Sequence, residues 1–271
     1  MKLKLWQVDA FAVGPFAGNP AAVVPLESWL PDSKMQAIAN ENNLSETAFF
    51  VPRGDDRYDL RWFTPVTEVA LCGHATLASG WVALNELSKS SKLVRFETKS
   101  GELTVEKDKN GYLRMALPSD KTVPFAAPPG YAAELGQGLG VAAPDELHIG
   151  RYVLAVWRDA AVVRAIKLGD ISGVMDKADK WGLIASAGGA TTAPYDFISR
   201  FFAPSHGVPE DPVCGSAHSS LTPFWGKRLG KRQLRAYQAS ARGGELLCTD
   251  DGDRVILSGP CALYMRGEIE L

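Results

Sequence analysis

Two segments of this chain carry the same reactive residue types at similar spacing. Residues 61–81 read RWFTPVTEVALCGHATLASGW, and residues 200–225 read RFFAPSHGVPEDPVCGSAHSSLTPFW. Both open with Arg-aromatic-Phe-x-Pro, reach Cys-Gly-x-Ala after a short loop, and end at a tryptophan. Close to half of the chain separates the two copies, so the repeat predicts two similar domains.

Each copy contains a Cys-Gly pair at a predicted helix start, Cys72-Gly73 in the first and Cys214-Gly215 in the second. Glycine permits a tight turn, and the first helical N–H groups lack partners, so such a junction favours an anion such as a carboxylate. A helix N-terminus also favours the thiolate form of a cysteine. Two such junctions facing each other would hold a substrate in a cleft. The alternative is two buried cysteines under two core helices.

Glu46 is a candidate general acid or base. It lies where a loop enters the apolar strand LSETAFF at residues 44–50, which predicts partial desolvation of its carboxyl group. Desolvation favours a protonated carboxyl that can take part in proton transfer near neutral pH. Ser45 could hold one of its oxygens. The alternative is an ordinary glutamate at the end of a strand.

Three further polar residues lie at the two Cys-Gly junctions. Asp211 precedes Cys214 by three residues, and it could cap the N–H group of Cys214 or Gly215 or orient a substrate. His74 follows the first Cys-Gly pair and could donate a proton or a hydrogen bond. Ser216 holds the equivalent place in the second copy and could donate to a substrate oxygen.

Metal and cofactor sites are not predicted. Four residues of the repeat belong to types that bind zinc, namely Cys72, His74, Cys214 and His218. However, the Cys-x-His spacing is tighter than in a usual zinc finger, and the second pair is not Cys-x-x-Cys. The chain contains neither a GxGxxG fingerprint nor a GxxxxGK[ST] loop, so no dinucleotide or nucleoside triphosphate is expected.

The composition excludes several classes of partner. Hydrophobic residues make up 46% of the chain and charged residues 22%, and the formal net charge is -2, so no basic field for nucleic acid is expected. The N-terminal residues MKLKLWQVDAF lead directly into an alternating strand and have no signal-peptide core. We therefore expect a cytoplasmic protein with no membrane partner, whose four cysteines are reduced thiols.

The order of predicted elements indicates an α+β fold. We expect two pseudo-symmetric domains, each a mixed, mostly antiparallel sheet wrapped around a central helix. The first domain covers residues 1–117, a linker residues 118–129 and the second domain residues 130–259; the tail at 260–271 could return to the first domain. In the first domain, Asp32 is the expected cap of a helix at 33–42, and residues 73–87 form an apolar helix inside the sheet. In the second domain, residues 148–157 and 161–166 are expected strands.

Taken together, these motifs resemble the PhzF-like family of phenazine-biosynthesis isomerases. The resemblance rests on DAF and GNPAAV within residues 9–23, NLSETAF at 43–49, the first repeat copy at 61–78 and EDPVCGSAH at 210–218. It implies the fold of diaminopimelate epimerase and commonly a homodimer. It also implies a cofactor-free isomerase, since the characterised member is a cofactor-free isomerase of trans-2,3-dihydro-3-hydroxyanthranilate.

The resemblance also implies roles for individual residues. Glu46 would take a proton from one carbon of the substrate and return one to another. The residues expected to assist proton transfer or hold the substrate are His74, Asp211, Ser216 and Ser45, with backbone N–H groups from Gly73 and Gly215. The expected substrate is a small carboxylate.

Two other functions stay open from the sequence. Cys72 and Cys214 stand where racemases and epimerases of the same fold keep two catalytic cysteines, so a two-thiol racemase is one alternative. Those racemases lack the NLSETAF glutamate, which favours the isomerase. The other alternative is a protein that binds a small carboxylate or a protein partner without catalysis.

Overall fold

The computed structural model describes residues 1–189 and 194–271 of the chain. The strands are β1 (Lys2–Ala10), β2 (Asn19–Pro25), β3 (Glu46–Gly54), β4 (Arg57–Phe63), β5 (Glu68–Val69), β6 (Leu93–Thr98), β7 (Gly101–Lys107), β8 (Leu113–Pro118), β9 (Val123–Pro124), β10 (Glu146–Ile149), β11 (Val153–Trp157), β12 (Leu183–Gly188), β13 (Phe197–Ala203), β14 (Val208–Asp211), β15 (Gln233–Gln238), β16 (Gly244–Asp251), β17 (Arg254–Gly259) and β18 (Cys261–Glu270). The helices are α1 (Asp32–Asn42), α2 (Gly73–Val82), α3 (Tyr131–Gly138), α4 (Ala160–Ala165), α5 (Ser172–Lys177) and α6 (Gly215–Leu229). The predicted α+β class is confirmed.

The described chain divides into two compact units. The first unit comprises residues 1–117 and 256–271, and the second comprises residues 118–255. In the first unit, β1 pairs antiparallel with β18 and β2, β2 runs parallel to β3, and β3 pairs antiparallel with β4. Strand β4 then runs parallel to β6, which continues antiparallel into β7 and β8. The parallel step from β4 to β6 is the one that the chain makes through α2.

Helix α2 is the centre of the first unit. All of its residues except Gly73 and Trp81 are buried, and it packs against β1, β2, β3 and β7. A side chain at Gly80 would place its Cβ 2.5 Å from Val105, so the helix lies close against β7. A π-type turn at Ala83–Leu87 continues it. The expected apolar helix at residues 73–87 is therefore confirmed.

The second unit repeats this order of pairing. Strand β11 runs parallel to β12, β12 pairs antiparallel with β13, and β13 runs parallel to β15, which pairs antiparallel with β16. Helix α6 connects β14 to β15, as α2 connects β5 to β6 in the first unit. The duplicated sequence thus corresponds to a duplicated strand–helix–strand topology.

Helix α6 contains a proline in its interior. Pro223 has no N–H group to donate to the carbonyl group of Ser219, four residues earlier. That carbonyl oxygen accepts a hydrogen bond from the backbone N–H of Asp120 at 3.2 Å, and the Asp120 carboxylate accepts one from the Ser220 hydroxyl. A segment outside the helix therefore replaces the missing helical donor. No helix in the two described stretches is long and apolar enough to cross a membrane.

Three local expectations are wrong. Residues 161–166 belong mostly to helix α4 rather than a strand, because the Asp159 carboxylate caps the N–H group of Ala161 and starts a helix there. The expected strand at 148–157 is two antiparallel strands, β10 and β11. Asp32 caps nothing with its side chain: it is the first residue of α1 and pairs with Arg61 at 2.8 Å.

Candidate active site

The first cluster lies where β3 and α2 begin. We define it as Asn19, Ser45, Glu46, Cys72 and His74. Glu46 opens β3 and is in register with a residue of the parallel strand β2. Cys72 precedes α2 in an extended conformation, and His74 lies in the first turn of the helix with only 4% of its surface exposed. The strand and the helix start together bring the carboxylate of Glu46 to the imidazole of His74.

Both nitrogens of the His74 ring have polar neighbours. Nε2 lies 3.0 Å from Oε2 of Glu46, although the two atoms do not meet in a well-formed hydrogen bond. Nδ1 lies 3.0 Å from Nδ2 of Asn19 and 3.5 Å from Sγ of Cys72. The Ser45 hydroxyl donates to Oδ1 of Asn19 at 3.3 Å. Ser45 therefore contacts the amide of Asn19, and the expectation that it holds a Glu46 oxygen is replaced by this contact.

Burial controls the acid–base properties of the first cluster. It raises the pKa of Cys72 to about 11, and the negative charge of Glu46 adds to this effect. The expected thiolate at this helix start is therefore wrong for Cys72. Burial alone would lower the pKa of His74, whereas charges at Cys72 and Glu46 raise it above its usual value. Because Cys72 remains a neutral thiol near pH 7, Glu46 supplies the negative charge that acts on His74 there.

Three donor atoms of the first cluster are close enough to be considered as metal ligands. Donor atoms of Glu46, Cys72 and His74 lie within 4.8 Å of one another, and a carboxylate, a thiolate and an imidazole are all zinc ligands. However, Glu46 approaches Nε2 of the ring, and Cys72 approaches Nδ1. The geometry is that of a chain of polar contacts through the ring.

The second cluster lies where β14 ends and α6 begins. We define it as Asp211, Cys214, Ser216, Tyr152 and Gln238. Cys214 precedes α6 in an extended conformation, as Cys72 precedes α2. The Ser216 hydroxyl lies 2.8 Å from the Tyr152 hydroxyl and 3.2 Å from Sγ of Cys214. The residue that corresponds to His74 therefore contacts a hydroxyl group instead of a carboxylate.

Gln238, which is fully buried, fixes the backbone of this helix start. Its Oε1 accepts a hydrogen bond from the N–H of Cys214 at 2.9 Å, and its Nε2 donates to the carbonyl oxygen of Asp211 at 2.6 Å. The Asp211 carboxylate accepts from the N–H of Val213 at 3.2 Å. Asp211 thus caps the backbone one residue before the expected position, because Gln238 already occupies the N–H of Cys214.

Burial also sets the protonation of the second cluster. It raises the pKa of Cys214 well above its usual value, and the charge of Asp211 adds to the increase. It likewise raises the pKa of Tyr152. Burial lowers the pKa of His218 to about 4, and Nδ1 of this ring lies 2.8 Å from the carbonyl oxygen of Cys214. His218 is therefore a neutral core histidine, and Cys214 and Tyr152 are protonated near neutral pH.

An arginine–glutamate pair accompanies each cluster, and sequence reasoning missed both pairs. Arg61 binds Glu68 through two hydrogen bonds of 2.8 and 2.9 Å, and Arg200 binds Glu210 through two of 2.7 and 2.8 Å. Each guanidinium also lies over a phenylalanine ring two residues further along, at 5.2 and 5.0 Å. Each glutamate precedes its cysteine by four residues. The shared arginine of the two copies was the available signal.

Most predicted site residues fall into the two clusters. Ser45, Glu46, Cys72 and His74 meet in the first, with Gly73 as the first residue of α2. Asp211, Cys214 and Ser216 meet in the second, with Gly215 as the first residue of α6. The residues missed from the sequence are Asn19, Tyr152 and Gln238, whose contacts join distant parts of the chain. Of these three, only Asn19 lies in a motif quoted in the sequence analysis, GNPAAV.

The chain has two similar α+β units, each with a Cys-Gly helix start, and this fold and site define its class of protein. Comparison with known proteins gives the family. Residues 8–267 match the PhzC-PhzF family, described as phenazine biosynthesis-like protein. The chain belongs to this family. An uncharacterised isomerase of Pseudomonas aeruginosa is 48% identical to it over the full length of both chains. The family and this relative support an isomerase.

Solved structures agree with the family and the fold. A PhzF-family phenazine biosynthesis protein of Enterococcus faecalis is 43% identical, covers both chains completely and superposes with a TM-score of 0.91. A predicted epimerase of Pseudomonas aeruginosa is 20% identical, with 98% of this chain and 99% of that chain covered and a TM-score of 0.75. This second likeness concerns the fold alone. The epimerase-like fold expected from the sequence is confirmed.

Proposed function

We propose that this protein is a cofactor-independent isomerase that moves a proton between two carbon atoms of a small carboxylate. The observation that carries the proposal is the pair formed by Glu46 Oε2 and His74 Nε2, which lie 3.0 Å apart. Both atoms are buried and lack a well-formed hydrogen bond within the described residues. Since buried polar atoms normally have partners, these two are suited to contact a reacting group.

Glu46 is the general base and then the general acid in this proposal. Its carboxylate accepts the proton of a C–H bond, and the released electron pair forms a double bond with the neighbouring carbon. The existing double bond shifts in turn, and its far carbon takes the proton back from Glu46. One C–H bond breaks and one forms, so the reaction needs no oxidant or reductant. General acid–base catalysis of this kind contributes about 10²–10⁴-fold to a rate.

The remaining predicted residues hold the substrate in this proposal. His74 hydrogen-bonds the reacting part of the substrate beside Glu46, and Asp211 and Ser216 bind its polar substituents. The N–H groups at Gly73 and Gly215 are the first of α2 and α6, where helix termini favour an anion. A ring bearing an amino or hydroxyl group, as in dihydrohydroxyanthranilate, would satisfy these donors and acceptors.

Proton NMR in D2O tests the proposal. Dihydrohydroxyanthranilate and a panel of amino and hydroxy acids are incubated with the wild type, with Glu46→Gln and with Glu41→Gln, a control at an exposed glutamate of α1. We expect isomerisation or deuterium incorporation with the wild type and the control, and none with Glu46→Gln. Turnover that survives Glu46→Gln would overturn the role of Glu46. No reaction with any compound would favour a binding protein.

The two-thiol racemase is tested in the same assay. Cys72→Ser and Cys214→Ser would abolish racemisation if each thiol served one face of the substrate. We expect both variants to keep activity, because burial holds both thiols in the protonated form. Loss of activity in the serine variants, with Glu46→Gln still active, would establish the racemase instead.

Assembly as a homodimer remains a proposal that rests on the family resemblance. In the first unit, Phe16 and Tyr264 are exposed aromatic residues whose rings contact each other at 5.8 Å. Multi-angle light scattering of the purified chain measures its mass directly. A mass of twice 29.2 kDa supports the dimer, and a mass of 29.2 kDa at micromolar concentration contradicts it.

A further inference from the structure

The contacts of His74 specify where its proton lies. A neutral imidazole carries one proton, on either Nδ1 or Nε2, and the bare nitrogen is an acceptor. On one side of the ring, Nε2 faces a Glu46 oxygen at 3.0 Å. An ionised carboxylate only accepts hydrogen bonds, so a lone pair on Nε2 would lie beside this negative charge with no proton between them. The carboxylate therefore favours the tautomer with its proton on Nε2.

The other side of the ring favours the same tautomer. Nδ1 lies 3.0 Å from Nδ2 of Asn19, an amide nitrogen that can only donate. In this orientation of the amide, its Oδ1 accepts the hydroxyl proton of Ser45 at the other end. With the amide held in this way, a proton on Nδ1 would point at the N–H hydrogens of Asn19. Nδ1 is therefore the acceptor.

Asn19 is held firmly enough to select between tautomers. It is fully buried, and it opens β2 in register with Ala10 of the antiparallel strand β1. The preceding Gly18 has a φ of +65°, and a Cβ there would lie 2.2 Å from the Ala10 carbonyl oxygen. Only glycine fits this turn, so the backbone entering Asn19 has little freedom.

We infer that Asn19 is a positioning residue that selects the Nε2–H tautomer of His74, with Ser45 orienting its amide. The inference rests on the proposed function, since it assigns Ser45 and Asn19 the task of aiming a His74 proton at Glu46 and the substrate. The tautomer itself can be measured without any substrate. Failure of the inference and failure of the proposed function are therefore separable.

Nitrogen-15 NMR of protein labelled in histidine tests the inference along a titration from pH 7 to pH 10, because Glu46 raises the pKa of His74 and a tautomer exists only in the neutral ring. The two ring nitrogens resonate far apart when one carries a proton, and close together when both do. His74→Gln assigns the His74 signals among the four histidines. In the pH range where the ring is neutral, we expect a protonated Nε2 and a bare Nδ1 in the wild type. A neutral ring with a bare Nε2 and a protonated Nδ1, or a ring that stays doubly protonated at pH 10, would overturn the inference before any tautomer-changing variant is made.

Asn19→Asp supplies the second arm of the test. The substitution keeps the side-chain shape but replaces the donor at Nδ1 with an acceptor, so we expect a proton on Nδ1 in this variant. Asn85→Asp is the matched control, because Asn85 lies in the same unit and bonds the Trp81 carbonyl and Lys107 instead. A ring unchanged in Asn19→Asp, with its fold verified by circular dichroism, would overturn the inference.

Ser45→Ala is a milder substitution than Asn19→Asp, because it does not place a carboxylate in a buried position. It removes the hydroxyl that Oδ1 of Asn19 accepts, so we expect the Nδ1–H tautomer to become populated. A ring that stays fully in the Nε2–H form would remove Ser45 from the inference. If Asn19→Asp shifts the proton while turnover stays at the wild-type rate, the tautomer assignment stands and the proposed role of His74 fails.

Discussion

In the first cluster the residue after Cys-Gly is His74, and its imidazole faces the Glu46 carboxylate. In the second cluster the same position is Ser216, and its hydroxyl contacts the Tyr152 hydroxyl. Both clusters have an extended cysteine before the helix, and a bidentate arginine–glutamate pair accompanies each. The backbone framework is therefore duplicated, whereas the groups that can exchange protons near neutral pH differ.

The buried side-chain amides of the two clusters, Asn19 and Gln238, also differ in what they contact. Asn19 contacts the His74 ring, so it acts on a side chain. Gln238 bonds the backbone at Asp211 and Cys214, so it fixes the shape of the helix start. In the proposed function, we therefore expect the first cluster to place a proton and the second to hold a fixed surface of donors and acceptors. The experiments below test that division.

The largest expected effect is on proton transfer in the first cluster. Glu46→Gln removes the proposed base, and we expect turnover to fall by about 10²–10⁴-fold. His74→Gln keeps a hydrogen-bonding group but cannot carry the same proton, so a smaller loss is expected. Comparison of kcat for the two variants by NMR measures this. Equal losses from Ser216→Ala and Glu46→Gln would contradict the division between the clusters.

Substitution of Asp211 should have a smaller effect. Asp211→Asn keeps an oxygen for the Val213 N–H but removes the charge. In the proposed function Asp211 makes one charge-assisted hydrogen bond to the substrate. Its loss costs about 1.5–3 kcal/mol, equivalent to a fall of about 10–150-fold in kcat/KM. Steady-state kinetics gives the value. A loss as large as that of Glu46→Gln would make Asp211 a second proton-transfer group and break the comparison.

The two arginine–glutamate pairs should differ in stability. Arg200 also donates to the Ile166 carbonyl at 2.6 Å, whereas the additional partner of Arg61 is the exposed Asp32. We expect Arg200→Met to cost about 2–3 kcal/mol and Arg61→Met about 1–2 kcal/mol of unfolding free energy. Urea unfolding measures both, with the more exposed Arg114→Met as the control. A larger loss of unfolding free energy in Arg61→Met than in Arg200→Met would contradict this expectation.

The pair in the first unit also makes a pH-dependent contribution. Hydrogen bonds from Arg61, with a further contribution from Lys99, lower the pKa of Glu68 to about 2 from an ordinary 4.5. A depressed pKa in the folded state stabilises the fold above the unfolded value, and this stabilisation is lost as the pH falls. The wild type should therefore exceed Glu68→Gln in stability above pH 4.5, and the gap should close towards pH 2. Urea unfolding across this range measures it; a constant gap would contradict it.

The smallest effects are expected at the two cysteines. Because burial raises the pKa of Cys72 to about 11 and raises that of Cys214 as well, neither forms much thiolate at pH 7. Iodoacetamide should alkylate both slowly, and Cys72→Ser and Cys214→Ser should each keep turnover within about threefold. Mass spectrometry of the timed alkylation measures the first expectation. Rapid alkylation of either thiol would contradict the burial argument.

The sequence predicted features that depend on local backbone chemistry. The repeated Cys-Gly junction marked both central helices, because glycine and small residues specify a helix start and a close-packed helix face. Residues 161–166 were mistaken for a strand, since their β-branched valines favour a strand by propensity. The Asp159 cap and packing on the sheet outweigh that propensity.

The site could be predicted only in part, because the sequence motifs show local features and not tertiary contacts. Asn19 and His74 are 55 residues apart, and Cys214 and Gln238 are 24 apart, so no spacing pattern connects them. The thiol expectation failed because a helix terminus and burial act in opposite directions on a cysteine, and only the packed structure shows how deep Cys72 lies. Contacts that depend on tertiary packing could not be derived from the motifs.

Pro223 has a consequence for dividing the chain into fragments. The Ser219 carbonyl that it leaves without a helical donor is bonded by Asp120, so Asp120 completes helix α6 although it lies about a hundred residues earlier. A fragment of the second unit that starts after Asp120 would expose this carbonyl and the Ser220 hydroxyl to solvent. The cut that leaves α6 intact therefore lies before Pro118, at the boundary of the unit.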